Sequence, residues 1–492
     1  MSLKKDKRNP SLGSDMVKLT VSRSMTLIIN MVTAMLISRY RTYEEYGTYS
    51  QIHLVMSLFL TLFMLGLPNS INYFLTRSNS IEEENSFLSN YYTITTFLSL
   101  ALGIILSAGI RIISLYFNNE YIIKFSKYLM ILPWATITMQ SIDNVMVVYK
   151  RINELMIYKL VYSTLLVGIV ILNHVLKHTF EDYMLAFTLL NVGGGISTLL
   201  LVNDKKHRLV PQFNVRLIRK IFIYSIPMGL STLVGTLNAE IDKLYIGYVT
   251  NTESLAIYAN AARELPITMI SSSITAILLP QIIKMVKDGY VEDSVDKWKT
   301  SVEISFIATC FMVCGIFTYS KEVMTLLYSD KYLVGENIFR IYAFALLLRV
   351  TYFGMYLNAL GKPQLILASS VFSLLVNAVL NPLCYMIWGL PGPAIATLIA
   401  VITMQSTQLI ISSRLLKIRI NRILPFRNML VILIINVIIS LLFKYLKSAL
   451  HLEQLFGEIV ESIILGGGWG IIYFIIFKSR IFSLWHRLNK TP

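Results

Sequence analysis

An all-α polytopic membrane protein is the fold class this sequence predicts, and three observations carry that expectation. The 492 residues are 55% hydrophobic and only 15% charged, with a mean hydropathy of +0.61. A soluble chain of that length exposes far more charge. Apolar runs of about 20 residues, enough to cross about 30 Å of hydrocarbon, recur from end to end. Lys and Arg collect in alternate connecting loops, as the positive-inside rule requires. A transmembrane β-barrel would instead show segments of about ten residues with alternating polarity. The formal charge of +16 is therefore read as membrane orientation, with no nucleic acid expected as a partner.

The apolar runs define about fourteen spans. A basic, polar N-terminus, MSLKKDKRNPSLGSD, leads straight into the first, so no cleaved leader is expected. Runs at 17–38, 49–72, 90–114, 126–148, 153–173 and 182–202 make a first lobe, residues 1–202. Segment 203–218 holds Lys205, Lys206, Arg208 and Arg216 and reads as a basic cytoplasmic linker. Runs at 219–248, 254–284, 299–319, 335–359, 364–387 and 392–414 make a second lobe, 219–414. A last pair, 427–446 and 457–477, with a basic tail completes 415–492; about twelve spans is the rival count if that pair is misread. Lys150 and Arg151, Lys284 and Lys287, Arg414 and Lys417, and Lys478 and Arg480 lie on the linker's side, whereas 250–253 and 389–393 carry no basic residue. That asymmetry puts both termini in the cytoplasm of a multi-pass protein of the cell membrane.

The stretch 224–280 is the most informative. It reads as two spans joined by a short turn, with Glu240, Asp242 and Lys243 in the first and Arg263 and Glu264 in the second. Ionisable residues at that depth usually face a water-filled cavity or another charge. Pro227 and Pro266 sit inside the spans, where they free carbonyls and allow bends. The same hairpin resembles the first one in the chain: Tyr40 aligns with Tyr248, Glu45 with Glu253, Tyr49 with Tyr258, and Leu67-Pro68 with Leu279-Pro280 at the end of each second helix. Six helices intervene, so the two halves are expected to be parallel repeats about an axis along the membrane normal, with a substrate site at their interface.

Three stretches resemble one family. They are Ile37-Ser38-Arg39-Tyr40 through Tyr49 with Leu65-Gly66-Leu67-Pro68, then Asp242-Lys243 with Ile257-Tyr258-Ala259 and Pro280, then Asn358 to Pro363 with Asn377, Asn381-Pro382, Gly389, Gly392 and Ala394 to Thr397. In that order and spacing they are similar to the Wzx-type polysaccharide-export flippases, in the superfamily that also holds multidrug antiporters and the lipid II flippase. The resemblance implies two six-helix lobes related by a pseudo-two-fold around a central cavity, as in the multidrug antiporters, with alternating access. It also implies a polyprenyl-diphosphate oligosaccharide as substrate, glycosyltransferases and a polysaccharide polymerase as partners, and an extra helix pair bordering a groove for the lipid tail.

Moving a diphosphate past hydrocarbon requires fixed cations in place of its water, and Arg offers bidentate contacts to phosphate oxygens. The cavity candidates are Arg23, Lys159, Arg263 and Arg349. Snorkelling to head groups is the competing reading for Arg23 and Lys159, and Asp143 is a partner for either. Glu240 and Lys243 share a helix face and can neutralise each other. An ion pair with Glu240 or Asp242 is the competing reading for Arg263. Arg340 stands nearer the outer interface than Arg349, so Arg349 is preferred. Asp143, Glu240, Asp242 and Lys243 are thus candidates either for coupling to Na⁺ or H⁺ or for structural pairs.

Other chemistry finds little support. Cys310, Cys314 and Cys384 lie within spans and read as packing residues. His174 and His178 are four apart but have no third ligand nearby, so no metal is expected. The loops are short and show no nucleophile–base spacing, which argues against a membrane polymerase, ligase or glycosyltransferase. A multidrug or organic-cation antiporter would favour about twelve spans and a cavity rich in acids. Gly193 to Gly195 and Gly466 to Gly468 read as packing glycines.

Overall fold

The computed structural model describes the backbone of residues 11–204, 207–263, 265–450 and 457–489, and their side chains except at 11–24, 270, 276 and 489. Among the described residues the regular structure is helical throughout, and ten of the helices are long and apolar enough to cross a membrane. The chain is a multi-pass membrane protein, and Phe97, Leu115, Met386 and Ile387 are among the large apolar side chains left exposed on its helices, as a lipid-facing surface requires.

Two compact units divide at Leu237/Asn238. That point lies inside one helix, some way beyond the basic linker where the sequence suggests a boundary. The first unit contains α1 (Ser11–Tyr40), α2 (Tyr43–Met64), α3 (Leu67–Arg77), α4 (Ile81–Ala108), α5 (Ile110–Phe117), a 3₁₀ turn (Glu120–Phe125), α6 (Ser126–Leu129), α7 (Leu132–Val148), α8 (Ile152–Val175) and α9 (Phe180–Val202), and α10 (Val215–Val249) begins in it. Within it α1 packs on α8, and α7 packs on α4 and α9.

The linker belongs to this unit because it is tied down residue by residue. The backbone N–H groups of Val210, Gln212 and Asn214 donate to Ser89 Oγ (3.1 Å), Thr93 Oγ1 (3.2 Å) and Asn90 Oδ1 (2.6 Å) on α4. Alternate residues of an extended segment point the same way, so every second amide meets the helix. His207 anchors the near end: its ring nitrogens lie 3.0 Å from Glu84 Oε2 and 3.1 Å from Asp204 Oδ1, and it stacks on Tyr149.

The second unit carries the rest of α10, α11 (Thr252–Ala261), α12 (Thr268–Lys287), α13 (Val291–Thr318), α14 (Ser320–Tyr328), a 3₁₀ turn (Asp330–Gly335), α15 (Glu336–Leu348), α16 (Met355–Ala359), α17 (Pro363–Trp388), α18 (Gly392–Leu416), α19 (Ile420–Ile423), α20 (Phe426–Leu450) and α21 (Glu458–Asn489). Here α13 packs on α12 and α15, α15 on α18, and α17 on α18. The C-terminal pair seats on α13. Glu303 accepts from Arg480 Nε (2.6 Å) and Asn428 Nδ2 (2.7 Å), Tyr473 donates to the Ile307 carbonyl (2.8 Å), and Lys447 pairs with Glu322.

The two units repeat one plan. Thr42 caps α2 and Asn251 caps α11, each accepting from the backbone N–H three residues on. In both units a short helix (α5, α14) ends at a residue with positive φ, Asn118 at 46° and Ser329 at 92°. A 3₁₀ turn follows and packs on the second helix of its unit's opening hairpin, α2 or α11. This second duplication is in the sequence, where Phe117-Asn118-Asn119-Glu120-Tyr121 parallels Tyr328-Ser329-Asp330-Lys331-Tyr332, but its aligned positions share only the final Tyr.

Several expected spans are interrupted. The run 49–72 breaks at Leu65 and Gly66, both left-handed, and resumes as α3 with Pro68 in its first turn. The run 126–148 breaks between α6 and α7, the run 254–284 between Ala261 and Thr268, and the run 335–359 between Leu348 and Met355. Proline accounts for the third break, where Pro266 lacks the N–H that a continuous helix needs. In the fourth, Trp298 Nε1 on α13 donates to Thr351 Oγ1 at 2.9 Å. The expectation that Leu67-Pro68 and Leu279-Pro280 end their helices is corrected: the first opens α3, and the second lies inside α12.

Candidate functional site

Irregular backbone at membrane depth survives only where protein buries it or it lines a cavity. The interruptions in the second unit are therefore the places to look, and each carries one of the expected arginines. Arg263 follows the end of α11, and Arg349 caps the end of α15. Both side chains line one pocket with Leu265, Phe339, Tyr342 and Thr397. Its free volume is about 10 Å³, room for about one water. A diphosphate does not fit this closed form.

Asp242 adjoins that pocket. It is 1% exposed and is held by four donors. Tyr258 Oη donates at 2.9 Å, Thr397 Oγ1 stands at 3.5 Å, the Lys243 N–H donates at 2.7 Å, and the Tyr342 hydroxyl also bonds to it. Arg349 shares the pocket lining with Tyr342 and Thr397, both of which bond to that carboxylate. Asn377 Nδ2 donates to Thr397 Oγ1 at 3.4 Å. Asn377 and Asn381, a helical turn apart on α17, are each 1% exposed. Asn377 Oδ1 and both amide atoms of Asn381 have no hydrogen-bond partner among the described residues. Buried amides are nearly always hydrogen-bonded, so these three atoms set this stretch of α17 apart.

The other expected residues fall differently. Lys243 Nζ lies 2.7 Å from Glu240 Oε2, closing the pair expected from their spacing. Lys159 Nζ lies 2.7 Å from Asp143 Oδ2 between α8 and α7, so the first unit's deep cation is engaged by a deep acid. The side chain of Arg23, and Glu264 altogether, lie outside the described residues. Arg340 is tied to Glu336 (2.9 Å) and Ser320 (2.8 Å). His174 stacks on Tyr40, and His178 lies 3.8 Å from Asp182. No group of three or more His, Cys, Asp or Glu suited to a metal occurs among the described residues. Tyr342 was not among the expected residues. Nothing in its local sequence separates it from the many interface tyrosines; only the fold sets its hydroxyl on Asp242.

Comparison with known proteins fits this architecture. A family described as "Polysaccharide biosynthesis protein" matches residues 36–335. The probable low-salt glycan biosynthesis flippase Agl15 of Haloferax volcanii is 24% identical over 182 residues, 36% of this chain and 39% of that protein. The capsular polysaccharide biosynthesis protein CapF of Staphylococcus aureus is 28% identical over 155 residues, 30% of this chain and 38% of that protein. The aligned regions thus span well under half of either relative. Among solved structures, the lipid II flippase MurJ in an inward closed conformation superposes with a TM-score of 0.74 at 16% identity, covering 94% of this chain and 100% of that one. An inward-facing multidrug resistance MATE family transporter of the MOP superfamily gives 0.67 at 15% identity, covering 82% and 98%. At these identities the two structures establish the fold alone.

Proposed function

The chain belongs to the polysaccharide biosynthesis protein family, and on that premise we propose that it is a flippase for polyprenyl-diphosphate-linked oligosaccharides. It carries them from the cytoplasmic to the outer leaflet of the cell membrane by alternating access, with both termini in the cytoplasm. Glycosyltransferases supply its substrate, and a polysaccharide polymerase consumes it. The observation that carries this reading is the pair of interrupted helices that hold Arg263 and Arg349 at one pocket. Guanidinium groups on unwound segments can meet phosphate oxygens once the pocket opens, and charge-assisted bidentate contacts are the strongest kind available for that ligand.

A coupling cation is the second part of the proposal. Asp242, Thr397 and the amide oxygens of Asn377 and Asn381 supply oxygen ligands of the sort Na⁺ takes. Support comes from the unsatisfied amide oxygen of Asn377, whose Nδ2 is linked to the carboxylate through Thr397, with Asn381 one helical turn further on. Occupation by a cation would add positive charge next to Arg349 and so link the ion to the diphosphate.

The test is reconstitution into liposomes with a fluorescent polyprenyl-diphosphate oligosaccharide, following its protection from an external quencher. Arg263→Ala and Arg349→Ala should each lower transport about 10- to 100-fold, the size of a lost hydrogen bond to a charged group, in protein that still folds. Full transport by both variants would remove the arginines from the mechanism. Efflux of cationic dyes without lipid movement would assign the chain to the multidrug antiporters.

A further inference from the structure

The first unit holds a separate cavity of about 480 Å³, within the range of about 300–1,000 Å³ typical of small-ligand sites. Its walls differ in kind from the arginine pocket. None of the lining residues is Asp, Glu, Lys or Arg. Most of the polar groups come instead from two helical stripes, with Asn69 of α3 and Thr232 of α10 beside them. His53, Ser57 and Thr61 recur every fourth residue on α2, and Thr136 and Gln140 do the same on α7. Residues at that spacing share one helix face.

The supporting structure holds these groups in place. Asn144, the next residue in the α7 series, donates from Nδ2 to the Pro68 carbonyl at 2.9 Å and accepts from Asn72 Nδ2 at 3.0 Å. It thereby pins α7 against the start of α3, just after the break at Leu65 and Gly66. Asn69 projects into the cavity from the same turn. The side chains of Ser57, Asn69, Thr136 and Gln140 make no hydrogen bond to the described residues, so their donors and acceptors are available to a ligand. Phe187, edge-on to the His53 ring at 6.0 Å, supplies an apolar face.

Three ligand classes fail against this lining. A diphosphate needs cations, a cationic drug needs a carboxylate, and a lipid tail would leave the amides and hydroxyls desolvated and unpaired. A neutral, hydroxyl-rich chain satisfies them, because amides and hydroxyls both donate and accept. We propose that this cavity is the subsite for the neutral glycan portion of the lipid-linked substrate, read by Gln140, Thr136, Ser57 and Asn69. The proposal rests on the flippase reading above and adds the residues that recognise sugar.

The experiment compares two fluorescent probes in liposomes containing the full chain: undecaprenyl diphosphate carrying one N-acetylglucosamine, and the same lipid carrying a neutral tetrasaccharide. Gln140→Leu keeps the side-chain bulk and removes the amide. Its transport efficiency for the tetrasaccharide probe should fall about fivefold, the size of about one net hydrogen bond, while the short probe changes less than about twofold. Thr136→Val, which exchanges a hydroxyl for a methyl, should show the same selectivity and guards against a folding artefact in the first variant. Equal losses on both probes, or none on either, would overturn the glycan subsite while leaving the flippase reading intact. A wild-type chain that moves neither probe would sink both.

Discussion

Gly229→Ala offers a direct measure of a helix crossing on which the first unit depends. Gly229 on α10 meets the break between α2 and α3. A methyl placed on it would lie 2.1 Å from the Leu65 carbonyl carbon and 2.4 Å from its oxygen, and one placed on Gly66 would lie 2.6 Å from the Gly229 nitrogen. Non-bonded carbons rest at about 3.5–4.0 Å, so the backbones must part by about 1.4 Å or more. Both obstacles are backbone, which cannot swing aside as a side chain does. Overpacking of this kind costs about 1–3 kcal/mol. Gly235, farther along the same helix, has nothing within 4 Å of the corresponding position. Alanine there should stabilise by about 0.5–1 kcal/mol, the usual helical preference over glycine. Thermal unfolding of the detergent-solubilised protein should therefore place the wild type between the two variants, with Gly229→Ala lowest. If Gly229→Ala melts at or above wild type, α10 does not touch the α2–α3 break and the crossing is wrong.

Three further expectations concern separate parts of the molecule. Lys159 and Asp143 are 16% and 32% exposed, between a surface pair and a buried one, so their coupling should be about 1–2 kcal/mol. A cycle of Lys159→Met, Asp143→Leu and the double variant, read by thermal unfolding, checks it; a double variant no more stable than the additive sum would show that the pair contributes nothing. His207→Ala removes the contacts to Glu84 and Asp204 that anchor the linker. Trypsin should then cut after the exposed Arg208 several-fold faster, and an unchanged rate would mean the α4 contacts suffice. Asn381→Ala should raise the Na⁺ concentration for half-maximal flipping about tenfold, the cost of one lost ligand to a buried charge; transport indifferent to Na⁺ in the wild type would remove the cation from the mechanism.

Much of this was readable in one dimension. Each membrane helix must satisfy its own backbone hydrogen bonds, so apolar length and the placement of Lys and Arg mark the spans without tertiary information. The pairing of Glu240 with Lys243 is equally local, because helix geometry sets residues three apart side by side. The first hairpin repeat was legible for the same reason, through matching residues near each turn.

The interruptions were at most partly legible. Pro266 could have signalled one of them, but Pro227 and Pro280 sit inside continuous helices. The break after Leu348 is held by Trp298, far away in sequence. Whether Lys159 faces a cavity or Asp143 depends on how α7 meets α8. That Arg263 and Arg349 line one pocket, and that Tyr342 reaches Asp242, depends on how α11, α15 and α10 pack. The stripes His53–Ser57–Thr61 and Thr136–Gln140 are visible as helical spacing, yet only the packing of α2, α3 and α7 turns them toward a common cavity. The order of residues is enough to establish that this chain crosses the membrane many times as two similar halves, since hydrocarbon tests each segment separately. Which charges pair and which polar groups meet is settled by packing, since those contacts join residues that no local periodicity connects.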